Sequence, residues 1–155
     1  MIHVQTFGAV DLRRNGTEVR SVLSQPKRMA LLVHLLLGSS SGFLNREAIL
    51  AAFWPDADSE RARNSLRQAL HYLRRSLGED LLESRGDEIG CSAVVTCDAL
   101  EFERAIAAGR LEEAMQYYRG EFLPAFFVED APAVEAWIDE RRGYYRTRAF
   151  RVATG

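Results

Sequence analysis

Apolar and polar residues alternate through Ile2-His3-Val4-Gln5-Thr6-Phe7, which predicts a half-buried strand. Ala9 to Leu12 and Val19 to Leu23 predict two more short strands, with Asn15-Gly16 as a hairpin-type turn between them. Together they describe a small antiparallel sheet at the N-terminus. The pattern then becomes helical. Ser24 can cap, Pro26 suits a first helical turn, and Leu31, Leu32, Leu35 and Leu36 form an i, i+1, i+4, i+5 stripe. Gly38 to Gly42 breaks it. Asn45 predicts the cap of a short helix carrying Ile49, Leu50, Phe53 and Trp54, and Pro55 ends that helix. Asp58 or Ser59 caps a third helix, with Glu60 at its positive end.

The apolar positions of this third helix are Ala62, Leu66, Ala69, Leu70, Leu73 and Leu77, and Gly78 stops it. Leu81 to Ser84, a polar turn Arg85-Gly86-Asp87-Glu88, and Ile89 to Cys91 then predict a hairpin, which Val94-Val95-Thr96 would close as a further strand. From Asp98 the composition turns helical: Ala99 to Ala108, Leu111 to Tyr118, and roughly Ala133 to Phe150, with Gly109 and the Gly120 to Pro124 turn between them. We place a domain boundary near residue 97. The expected class is α+β: a winged helix-turn-helix with an N-terminal antiparallel sheet over 1–97, then an all-α segment over 98–155.

Charge singles out one of these elements. Residues 1–97 hold twelve Lys/Arg against eleven Asp/Glu, and residues 98–155 hold eight against eleven. Yet residues 61–78 contain five arginines and no acid. At 100° per residue, Leu66, Leu70, Leu73 and Leu77 fall within about 60° of one another. Opposite them lie Arg61, Asn64, Gln68, His71 and Arg75; Arg63, Arg67 and Arg74 flank one edge, Ser65 and Tyr72 the other. Such a face suits DNA. Arginine grips phosphates or a guanine edge, Asn and Gln pair with adenine, and Ser and Tyr anchor phosphates. A solvated arginine-rich helix would share the pattern. The fold order favours DNA, because a hairpin with Arg85 at its tip follows directly and can act as a wing in the minor groove. An ordinary turn with an exposed arginine is the plainer alternative for that hairpin. Lys27-Arg28 either contacts phosphate or sits at an exposed helix start.

Other chemistry is sparse. Cys91 and Cys97 lack zinc-ligand spacing and fit a reduced, cytoplasmic setting. The apolar run Met29 to Leu37 is too short for the ~20 residues of a membrane span, and the N-terminus lacks a signal-peptide pattern. Glu112-Glu113, Glu129-Asp130 and Asp139-Glu140 are adjacent acids, which diverge by about 100° on a helix and do not face a common cleft. His34 reads as a core or boundary histidine without triad partners, and no phosphate loop or nucleophile motif occurs. The sequence therefore predicts no enzyme and no cofactor.

Several stretches in order carry a family likeness: Gln25-Pro26-Lys27-Arg28 to Leu37, Asn45 to Leu50 with Phe53-Trp54-Pro55, Ala62 to Leu66, and Leu73 to Gly78. Further on come Phe102-Glu103-Arg104, Tyr118 to Leu123, and Trp137 to Arg142. The layout resembles the OmpR-type winged helix of bacterial regulators. It is more closely similar to the Streptomyces antibiotic regulatory protein family, which joins that domain to a bacterial transcriptional activator domain. The resemblance implies a bacterial transcription regulator whose third helix reads the major groove through Asn64, Ser65, Gln68, His71, Tyr72 and Arg75, with Arg85 in the wing. It also implies binding to direct repeats, as a homodimer or in tandem, and recruitment of RNA polymerase by the loop around Pro55 to Asp58. Two departures stand out. Asp87-Glu88-Ile89 replace the family's usual wing residues, and the helical part is short. Gly109, Ala114 and Tyr118 resemble the start of a tetratricopeptide-type array, which normally needs at least ~3 repeats. The sequence thus reads as a truncation, or its exposed end pairs with another subunit. The rival function is a protein-interaction module whose winged helix is a scaffold without DNA binding.

Overall fold

A computed structural model describes Met1–Gly155. The first strand, β1 (Ile2–Gln5), pairs antiparallel with β2 (Asp11–Arg14), which pairs with β3 (Thr17–Glu18). Ile2 and Val4 are buried while His3 is exposed, as the alternation predicts. Asn15 and Gly16 turn the chain with φ of 52° and 84°, the paired left-handed conformation of a type I′ hairpin. The expected strand Val19 to Leu23 is instead mostly a helical turn, α1 (Arg20–Leu23). Its apolar residues Val19, Val22 and Leu23 have i, i+3, i+4 spacing, and the turn buries Val22 completely.

Helix α2 (Pro26–Leu37) starts on the exposed Pro26 and the half-buried Lys27 and Arg28; from Met29 to Leu37 every residue is buried except His34, which is half-buried. Gln25 is its N-cap position, and Ser24 does not cap it; the Ser24 hydroxyl donates to the Ser21 carbonyl at 3.3 Å. Strand β4 (Leu44–Asn45) leads into α3 (Arg46–Phe53), where the Asn45 side chain accepts from the N–H groups of Glu47 and Ala48. Helix α4 (Ser59–Leu77) is capped by Asp58, whose carboxylate accepts from Arg61 N at 2.9 Å. Strands β5 (Leu82–Arg85) and β6 (Glu88–Cys91) form the hairpin, joined by the two-residue loop Gly86-Asp87. Gly86 supplies the left-handed φ of 59° that such a tight loop requires. β4 adds to β6 as a third strand.

The segment Val94 to Thr96 does not extend that hairpin. Strand β7 (Val95–Cys97) pairs in parallel with β1, so the N-terminal sheet runs β3-β2-β1-β7 and is mixed, not purely antiparallel. Then follow α5 (Asp98–Ala107), α6 (Leu111–Tyr117) and the long α7 (Pro132–Thr154).

The helical part is fastened to β1. Asp98 is almost fully buried and accepts from Thr6 N, Thr6 Oγ1, Phe7 N and Ala99 N. The Phe7 ring packs against Phe102, Tyr118, Phe122 and Tyr145, with ring centres 5.0–6.2 Å apart. The chain at Gly120 crosses so close to Gly8 that a Cβ there would lie 2.8 Å from the Gly8 Cα. One hydrophobic core of 38 buried residues therefore runs continuously across residue 97. The result is a mixed α+β fold in which α2, α3, α4 and the hairpin form a winged-helix-like unit, with the short α1 beside it, backed by the N-terminal sheet and α5, α6 and α7.

Candidate nucleic-acid interface

Helix α4 is held by its apolar side. Ala62, Leu66, Ala69, Leu70, Leu73 and Leu77 are buried. Arg61, Arg63, Asn64, Arg67, Gln68, His71 and Arg75 are exposed, and Ser65, Tyr72 and Arg74 are half-buried. The wheel drawn from sequence thus matches the burial pattern. After Glu60 in the first turn no carboxylate interrupts the polar face.

Local contacts distinguish these residues. Arg63 pairs with Glu47 of α3 at 3.0 Å, and Arg67 donates to Asn64 Oδ1 at 3.3 Å. Arg61, Arg67, Arg74 and Arg75 pair with no carboxylate, which leaves four cations for an outside anion. Tyr72 is engaged internally. Its hydroxyl donates to the Ser21 carbonyl at 2.9 Å and accepts from Gln25 at 3.2 Å, while Arg28 stacks 4.2 Å over its ring. That side chain ties α4 to α1 and α2.

Two concave surfaces flank α4. On one side the start of α2 contributes Lys27 and Arg28, which line a groove with Trp54, Ser65 and Gln68. Lys27 Nζ sits 5.4 Å from the centre of the Trp54 ring, and burial lowers its pKa, offset in part by Asp130. On the other side, α3, α4 and the hairpin enclose a cleft of about 460 Å³. Leu50, Leu66 and Leu70 line its apolar part; Arg46, Arg63, Arg67, Arg74, Glu47 and Asp87 line its polar part.

The hairpin is positioned by a residue that sequence reasoning missed. Arg46 donates through Nη1 to the Gly86 carbonyl at 3.2 Å and through Nη2 to Ser84 Oγ at 3.0 Å. Its backbone N–H also donates to the Asp87 carbonyl at 3.0 Å. Nothing in the helical period of residues 46–53 signals this role, which depends on strands forty residues later. Arg85 is exposed, with its guanidinium 4.0 Å over the Phe43 ring. Asp87 and Glu88 are exposed beside it, and Asp87 is among the residues lining the arginine cleft. A carboxylate there opposes the approach of phosphate.

His34 and the two cysteines serve packing. His34 lies edge-on to Trp137 at 4.7 Å and near Phe53 at 5.5 Å, and burial lowers its pKa to about 4. Burial pushes the unpaired thiols of Cys91 and Cys97 up to about 12, the range of unreactive thiols. No helix is long and apolar enough to cross a membrane.

No family model matches the chain, and no curated protein matches it. Among solved structures it is similar to Mycobacterium tuberculosis EmbR, determined in complex with a low-affinity phosphopeptide. The two are 23% identical with a TM-score of 0.67, and the match covers 99% of this chain and 44% of EmbR. The chain therefore spans less than half the length of that protein, and what the two share is the fold, from the N-terminal sheet to the end of the last helix.

Proposed function

We propose that this chain is a sequence-specific, double-stranded-DNA-binding transcription regulator, with α4 in the major groove and the β5–β6 hairpin beside the minor groove. The observation that carries this reading is the α4 face itself. The side chains of Asn64, Gln68, His71 and Arg75, all able to hydrogen-bond, line up on an exposed surface, opposite a buried leucine stripe and without an acid among them. Arg63, Arg67 and Arg74 lie along one edge, where phosphates run, and Arg61 stands at the start of the helix on the central face. The α2 start supplies Lys27 and Arg28 as a further phosphate contact, and Ser65 faces the same groove. Residues 1–97 form the DNA-binding part in this reading. Residues 98–155 are tetratricopeptide-like helices of an activator domain in the same reading. The Pro55 to Asp58 loop, exposed apart from the half-buried Ala57, is the surface offered to RNA polymerase in a bacterial cytoplasm.

A second reading is a protein-interaction module. It draws on the Glu47–Arg63 pair and on Asp87, which set carboxylates against part of the arginine surface. Selection of duplexes from a random pool separates the two. A regulator enriches one motif, arranged as a direct repeat, with affinity that falls steeply as salt rises. An interaction module enriches none.

A further inference from the structure

We propose that the cleft between α3, α4 and the hairpin is a binding site for a small amphipathic anion: an elongated apolar or aromatic body with acidic groups at or near its ends. The inference deepens the DNA-binding reading, because the same arginines serve both, and a bound anion would regulate access to DNA.

The cleft's volume of about 460 Å³ lies within the range of small-molecule sites. Its chemistry is two-sided. Leu50, Leu66 and Leu70 offer an apolar wall, and Arg67 and Arg74 stand on the same helix flank. These two arginines are seven residues apart, so their Cα atoms are separated by roughly 10 Å along the axis, with Leu70 between them. Neither pairs with a carboxylate, whereas Arg63 is neutralised by Glu47 and Arg46 is committed to the hairpin turn. Two free cations bracketing an aliphatic side chain complement a rod-shaped molecule with separated acidic groups. A bare phosphate would leave the leucine wall unused, and a neutral ligand would leave both guanidinium groups unpaired. Asp87, on the hairpin side, narrows the choice further. As an acid lining the cleft, it disfavours a ligand's acidic group placed on that side.

The consequence for DNA is direct. Arg67 and Arg74 cannot hold a ligand's acidic groups and a phosphate backbone together, so occupancy of the cleft and binding of a duplex exclude one another.

The test uses bis-ANS, an aromatic disulfonate whose fluorescence rises on binding, titrated into the full chain. We expect one saturable site per chain. Its affinity falls at least tenfold in the doubly substituted Arg67→Gln, Arg74→Gln protein and recovers in Arg67→Lys, Arg74→Lys. Circular dichroism of each variant checks that α4 is retained. Phe127→Ala and Phe150→Ala, which remove exposed aromatics 62% and 68% accessible elsewhere, leave the site unchanged. Dye binding that survives the glutamine substitutions, that disappears with Phe127 or Phe150, or that never saturates overturns the proposal. A selected duplex added to the complex separates the two readings. Displacement of the dye supports both. A duplex that binds a protein with no dye site sinks the anion proposal alone, and a dye site with no duplex binding sinks the DNA reading while the anion site stands.

Discussion

The Asp98 carboxylate receives the backbone N–H of Thr6 at 2.9 and 3.0 Å and the Thr6 hydroxyl at 2.6 Å, across 92 positions of sequence. This contact joins the first residue of α5 to the end of β1. It satisfies donors where the sheet gives way to the helical part, and it carries no neighbouring cation to offset its burial. Asp98→Ala would leave Thr6 N, Phe7 N and the Thr6 hydroxyl buried without their acceptor. Each orphaned group costs on the order of 1–3 kcal/mol. We expect a total loss of about 3 kcal/mol or more in urea unfolding. A loss below about 1 kcal/mol would mean that the joint is held by the Phe7 aromatic cluster alone.

His34 makes stability depend on pH. Burial lowers its folded pKa to about 4 from an unperturbed 6.5, so the unfolded chain binds the proton more tightly. The neutral ring's contribution is complete above about pH 6.5 and is lost as pH falls toward 4. The full effect is on the order of 3 kcal/mol. Carboxylates titrate in the lower part of this window, so the comparison is with His34→Gln. The drop in stability between pH 7 and 5 should be smaller in that variant than in the native chain. Equal drops would show that His34 does not couple to unfolding.

The elements that sequence made legible are those whose signals are local. Leucines at 66, 70, 73 and 77 fix the buried side of α4, Asp58 caps it, Gly78 ends it, and Asn45 caps α3. Three features had no such signal. Val19 to Leu23 is too short for its period to separate strand from helix. β4 is only two residues long, and β7 takes its place beside a strand more than ninety residues earlier. The site divides in the same way. The exposed face of α4 follows from its periodicity, but Arg46 under the hairpin and the internal engagement of Tyr72 arise only when distant segments meet.

Arg46→Ala removes both side-chain hydrogen bonds to the hairpin turn and leaves the backbone bond to Asp87. Amide exchange at residues 84–88 should quicken while exchange in α2 stays slow, and duplex affinity should fall severalfold. Arg46→Lys should not restore the native behaviour, since an ammonium lacks the planar fork that reaches both acceptors. Unchanged exchange at the turn would remove Arg46 from this role.

Asp87→Asn takes a negative charge from the cleft without changing its shape. A surface charge of this kind is worth about 0.5–1 kcal/mol at low salt. Duplex affinity should therefore rise about threefold at low ionic strength, and the gain should fade at high salt. A weaker complex would instead give Asp87 a favourable contact with DNA.

The central claim is that the exposed face of α4 reads bases. It is tested most directly by fluorescence anisotropy of the selected duplex with Gln68→Ala and Arg75→Ala proteins. Each lost base contact should cost about 1–3 kcal/mol on that duplex, with a much smaller change on random DNA. Native affinity in both variants, on both duplexes, would contradict the claim.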